Sequence, residues 1–98
     1  MTFEWDSRKN EINKRKHKIS FETAKYVFTD PTRIEIYDEQ HSSTEEERIT
    51  VLGKVNEVLF VVYTLRKENI RIISARLATK EEKEAYYGNS LFFIKRKR

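Results

Sequence analysis

Apolar residues change their spacing twice along the 98-residue chain, and each change marks a change of element. Phe3 and Trp5 alternate with polar neighbours as in a short strand, after which Asp6 can cap a basic helix running to about His17. Ile12 is the one strong apolar anchor of that helix, so its expected packing is shallow and leaves most of its basic residues free. Ser20 then caps a second helix in which Phe21, Ala24, Val27 and Phe28 recur at helical spacing. Asp30 and Pro31 stop it, because a residue before proline avoids the helical region. This stripe reads as core.

From Arg33 the period becomes two. Residues 33–37 read as one strand and 48–52 as another after a polar loop, while 58–63 are apolar at every position, as in a central strand. Lys67-Glu68-Asn69 suits a tight connection to a strand over 70–76. Thr79-Lys-Glu-Glu82 matches a capping box, opening a helix that carries Tyr86 and ends near Gly88. Leu91-Phe-Phe-Ile94 fits either an extra edge strand or a docking segment, and periodicity does not choose between them. Strand after strand implies an antiparallel meander. The expected fold is therefore α+β, with two N-terminal helices packed on a four-stranded antiparallel sheet and a C-terminal helix.

Parity matters within 70–76. Arg71 and Arg76 point to opposite faces of a regular strand, so they share a site only if the strand is irregular between them. Ile70 and Ile72 are expected to face the helices, and a bulge or strand end at Ser74 to Ala75 is expected to redirect Arg76. With a regular strand, Arg71 is the better candidate.

Composition narrows the function classes. The length suits one domain, 1–98, and a single Pro with two Gly leaves no linker or repeat. No apolar run reaches the roughly 20 residues of a membrane span. Met1-Thr-Phe-Glu-Trp-Asp6 does not resemble a signal peptide, so a cytoplasmic location is expected. Without cysteine there is no thiol chemistry, and His17 and His41 lie too far apart to resemble a paired metal motif. No metal and no cofactor is expected.

Charge points to a polyanion. Lys+Arg 20 against Asp+Glu 16 gives a net +4. Arg8, Lys9, Lys14, Arg15, Lys16 and Lys18 crowd the first helix, Lys95 to Arg98 form a basic tail, and Asp38, Glu39, Glu45, Glu46 and Glu47 lie between them. Phosphate contacts supply much of any nucleic-acid affinity, although a solvated helix face and a basic tail explain the same pattern. No Ser/His/Asp grouping, phosphate loop or HExxH motif is present. What remains near strand ends is Lys16, His17, Arg48, Tyr63, Arg71, Ser74, Arg76 and Tyr86. Such groups suffice for RNA cleavage without a metal, since the 2′-hydroxyl can attack its own phosphorus given a base, an acid and balancing cations. Each has a structural alternative: His17 as a cation at a helix C-terminus, Tyr63 and Tyr86 as packing, Glu47 and Arg48 as a surface pair. Glu82 is assigned to capping alone.

Phe3-Glu-Trp-Asp6, Lys9, Asn13, Lys16-His17, Ile19, Phe21, Ala24, Val27-Phe28 and Asp30-Pro31 follow the order and spacing of a known family. Glu47-Arg48, Gly53, Arg71-Ile-Ile-Ser-Ala-Arg76, Ala78-Thr79, Glu82 and Tyr86 continue it. Over residues 3–87 the chain resembles the BrnT family, toxins of type II toxin–antitoxin systems. Ser7 stands where that family usually has proline, and 89–98 extend beyond the shared pattern. The resemblance implies a RelE-like fold, metal-independent RNA cleavage that inhibits translation, and neutralisation by a BrnA-like antitoxin. It implies a 2:2 complex in which only the antitoxin contacts operator DNA, and no membrane partner. By position it suggests Lys16, His17, Arg48, Arg71, Arg76 and Tyr86 as site members. With His17 or Glu47 as base, the expected catalytic residues are His17, Glu47, Arg48, Arg71, Arg76 and Tyr86, and the basic first helix is expected to bind RNA through Lys9, Lys14, Arg15 and Lys16.

Overall fold

The computed structural model describes residues 2–40, 42, 43 and 46–88. His41, Glu45, the segment Leu91 to Ile94 and the basic tail lie outside them. In chain order the elements are β1 (Thr2–Glu4), α1 (Ser7–His17), α2 (Phe21–Ala24), a 3₁₀ turn (Lys25–Thr29), β2 (Ile34–Tyr37), β3 (Arg48–Val55), β4 (Glu57–Arg66), β5 (Asn69–Leu77) and α3 (Lys80–Tyr86). The strands form one sheet ordered β1-β5-β4-β3-β2.

That sheet corrects the expected four-stranded antiparallel meander. It has five strands and is mixed, because β1 pairs with β5 in parallel, Phe3 opposite Ile70 and Glu4 opposite Arg71. The fold remains α+β, but a strand precedes the helices. Three residues carry too little periodicity to mark a sheet member, and the partner of β1 lies at the far end of the chain. A parallel pair also needs a long crossover, which here is nearly the whole domain. The second helix is likewise shorter than its stripe suggested, turning from α to 3₁₀ at Lys25.

Local chemistry explains the helix starts. Asp6 accepts from the backbone of Arg8 and Lys9, Ser20 from Thr23, and Thr79 with Glu82 closes a complete capping box. α1 is not anchored by Ile12, which is 47 % exposed; its buried residues are Asn10 and Asn13. Asn10 accepts from Phe21 N at 2.8 Å and donates to Glu22 at 3.0 Å, locking α1 to the start of α2. Asn13 donates to Ile19 O and Ala75 O, both at 2.8 Å, and accepts from Ala75 N at 3.2 Å. Its amide thus serves the edge of β5 beyond the reach of β1 as a strand neighbour would.

The main core lies between the sheet and α1, α2 and the 3₁₀ turn. Phe21, Ala24 and Val27 are fully buried against Val51, Leu59, Val61, Ile70, Ile72 and Ala75. Phe28 stacks edge-on against Tyr63 with centroids 5.0 Å apart and also meets Phe3 at 5.4 Å. Gly53 lets the 3₁₀ turn approach, since a Cβ there would stand 2.7 Å from Val27 Cβ. On the other face, α3 covers one end of the sheet, with Ala78 and Tyr86 packed around Leu52, Val58, Phe60 and Ile34.

Candidate functional site

One irregularity in β5 decides which residues share a face. Tyr63 pairs with Ile72 and Val62 with Ser74, so Ile73 is an extra residue in the strand. The extra residue resets the alternation. Ile70, Ile72 and Ala75 all enter the helix-side core, while Arg71, Ser74 and Arg76 all point to the opposite face. The bulge lies just before the expected Ser74 to Ala75 and has the expected effect of redirecting Arg76.

Arg48 joins this face from β3. It pairs with Thr64, which pairs with Arg71, which pairs with Glu4, so these four stand in one row across four strands. Arg48 and Arg71 are two strand spacings apart, about 9.5 Å. Between them Thr64 is fully buried, and its hydroxyl has no hydrogen-bond partner among the described residues. Arg71 Nη1 donates to Glu4 at 3.0 Å, and Asn69 donates to the other Glu4 oxygen at 3.0 Å. The Asn69 bond first and the Arg71 bond second hold the Glu4 carboxyl below its usual range.

Arg76 belongs to another row, opposite Phe60, four residues along β4 from Thr64 and so about 13 Å away. Its Cζ stands 3.8 Å from the centre of the Phe60 ring, and its Nη1 and Nη2 donate to the two Glu82 oxygens at 2.9 and 3.0 Å. Burial alone would raise the Glu82 carboxyl, but the hydrogen bonds from Arg76 and Thr79 N hold it below its usual range. Arg71 thus turns toward β1 and Arg76 toward α3.

Tyr86 stands near Arg76 in space but is committed elsewhere. Its hydroxyl donates to Asp30 Oδ2 and lies 2.8 Å from Thr32 Oγ1. Burial first, and then the Asp30 carboxylate, raise the Tyr86 phenol. Burial acts against Asp30 too, yet hydrogen bonds from Tyr86, Lys54 N and Thr32 bring its carboxyl down to about 2. Asp30 therefore ties the 3₁₀ turn, β3 and α3 together.

The remaining sequence candidates are dispersed. Tyr63 is on the helix side, where its hydroxyl donates to Glu35 at 3.0 Å and burial raises its ionisation above the ordinary phenol value. Glu47 is exposed before β3. His17 ends α1 one turn beyond Asn13. Since Asn13 holds Ala75 and Arg71 acts on Asp6 at the other end of α1, His17 lies toward the Leu77 end of β5. Lys9, Lys14, Arg15 and Lys16 are all exposed along α1. The structure thus gathers Arg48, Arg71, Ser74 and Arg76 on one face, with Tyr86 beside the last and Glu47 next to Arg48 in the chain, and leaves His17 apart.

Sequence reasoning missed Glu4, Asp30, Thr64 and the ion pair of Glu82. The Thr79–Glu82 pattern did signal where the Glu82 carboxylate sits, but not that Arg76 would meet it. Among the described residues no group of three or more His, Cys, Asp or Glu side chains is placed to hold a metal, and no helix is long and apolar enough to cross a membrane.

Comparison with known proteins connects this arrangement to others. The 1.1 Å crystal structure of the Brucella abortus ribonuclease toxin, BrnT, matches with a TM-score of 0.58 at 20 % identity, covering 82 % of this chain and 99 % of that one. At that identity the likeness concerns the fold. No curated protein matches the sequence. The family model described as the ribonuclease toxin, BrnT, of type II toxin–antitoxin system matches residues 5–82, from Trp5 beside β1 to the Glu82 that holds Arg76. Since that span is most of the chain, the protein belongs to the BrnT family of ribonuclease toxins.

Proposed function

We propose that this protein is a metal-independent endoribonuclease whose cutting of RNA inhibits translation, and that a cognate BrnA-like antitoxin neutralises it. The observation that carries this reading is the bulge at Ile73, through which Arg71, Ser74 and Arg76 join Arg48 on one face. A guanidinium group there can balance the charge that builds on phosphate oxygens as the 2′-hydroxyl attacks. Arg71 and Arg76 stand in rows about 13 Å apart and turn to different neighbours, which suits separate phosphates of one strand rather than one phosphate held twice. His17 or Glu47 serves as the base. Tyr86 acts as a stacking surface, because its hydrogen is already committed to Asp30. Lys9, Lys14, Arg15 and Lys16 guide the RNA along α1. The family reading extends to a 2:2 complex in which the antitoxin alone contacts operator DNA, and to a cytoplasmic site of action.

A second reading, a non-catalytic RNA-binding module, is favoured by the separation of His17 from the arginine row. Cleavage of RNA in EDTA distinguishes them, with an Arg76→Ala, His17→Ala double variant purified identically to control for contaminating nuclease. The enzyme reading expects the wild type to cut and the variant to be silent. If both are silent while RNA still binds and induced expression is harmless, the binding-module reading replaces it.

A further inference from the structure

Arg76 has five N–H donors, and three of them have acceptors among the described residues. Nη1 donates to Glu82 Oε1 at 2.9 Å and to Leu77 O at 3.1 Å, and Nη2 donates once to Glu82 Oε2 at 3.0 Å. The two donors left over are Nε–H and the second Nη2 hydrogen, which lie side by side on one edge of the guanidinium. That edge is the fork that grips two oxygens of a phosphate. Phe60 covers one flat side of the group. Glu82 itself is fixed from behind, accepting from Thr79 N at 2.8 Å while its own N–H donates to Thr79 Oγ1 at 3.1 Å. Its side chain is 13 % exposed against 35 % for Arg76, so an anion arriving from solvent meets the guanidinium before the carboxylate.

We infer that Glu82 is a positioning residue for the RNA reaction, holding Arg76 so that its free Nε/Nη2 edge is presented to an RNA phosphate. The inference rests on the reading of the arginine face as the RNA site. A fixed carboxylate cancels part of the attraction of Arg76 for RNA and supplies orientation instead. Its loss therefore affects turnover more than binding.

Glu82→Gln tests this, since glutamine also closes a capping box and keeps the side chain's size. The expected result is a kcat lowered about ten-fold or more, with KM unchanged or lower. Adding Glu82→Gln to Arg76→Ala is expected to change nothing further. If Glu82→Gln costs as much in the Arg76→Ala background as in the wild type, Glu82 acts only through α3 and the inference fails. Thr79→Ala serves as the folding control, loosening the cap while leaving the Arg76 pair.

A readout without turnover keeps the two readings distinguishable. The Arg76 Nε–H resonance, assigned by its absence from Arg76→Lys, is followed as a short RNA with 2′-O-methyl groups, which cannot be cleaved, is added. The wild type and Thr79→Ala are expected to shift, and Glu82→Gln to shift several-fold less. A wild type that shifts but never cuts sinks the cleavage reading, while a smaller shift in Glu82→Gln still upholds the part of the inference that has Glu82 present Arg76 to an RNA phosphate. No shift in the wild type, or an equal shift in Glu82→Gln, overturns the inference.

Discussion

Asp30 ends the 3₁₀ turn, and its carboxylate receives hydrogen bonds from β3, from α3 and from the neighbouring Thr32, so its protonation costs the fold stability. Its carboxyl is held at about 2 against an ordinary 3.8, so the unfolded chain takes up a proton more readily than the folded one. The stability this confers is complete above about pH 4 and is lost as the pH falls toward 2. Discounted for solvent screening at a partly exposed site, the loss is about 1 kcal/mol. Urea midpoints at pH 7 and pH 2.5 should show it in the wild type, and Asp30→Asn should flatten that part of the pH dependence. A variant with the same acid slope as the wild type would place the effect elsewhere. In the sequence, Asp30 before Pro31 was legible only as a stop signal. Its partners Tyr86 and Lys54 N lie far along the chain, and no local pattern carries such distances. Glu82 shows the complementary case: its cap, made within three residues, was readable, but its bond to Arg76 across a strand-to-helix corner was not.

At the scale of elements, α1 shows how polar residues can do what an apolar stripe usually does. Ile12 is the residue a periodicity argument selects, and it stays 47 % exposed, whereas Asn10 and Asn13 are buried. Losing the Asn13 amide leaves Ala75 N, Ala75 O and Ile19 O without their side-chain partner in a buried setting. Asn13→Ala is therefore expected to lower stability by about 3 kcal/mol, and Ile12→Ala by less than about 0.5 kcal/mol, as read by urea denaturation. Comparable losses for the two would mean that α1 is held by its aliphatic contact after all. The strands β2 to β5 were legible because period two, or for β4 a continuous apolar run, extends over at least four residues. β1 was legible as a short strand but not as a member of this sheet, because three residues gain sheet membership only through a partner at the other end of the chain.

For the whole molecule, the arginine face and the exposed cations of α1 lie on different surfaces of one small sheet, so the proposed function requires RNA to contact both. Each phosphate contact on a single strand contributes about 0.7 to the slope of log affinity against log salt. Replacing Lys9, Lys14, Arg15 and Lys16 by glutamine should flatten that slope by about 0.7 for every phosphate that α1 no longer neutralises, with the same effect on unrelated RNA sequences. An unchanged slope would remove α1 from the RNA path. The basic run of α1 was plain in the sequence, whereas the convergence of Arg71 and Arg76 hung on one uncounted residue in β5. That residue is a spacer. Deleting it would join Ile72 to Ser74 opposite Tyr63 and Val62 in regular alternation, leaving Ala75 toward the amide of Asn13 and Arg76 on the arginine face. What the site requires at this point is thus the phase of the strand and not its length, and removing Ile73 should cost less than any change that straightens the bulge and turns Arg76 beneath the helices.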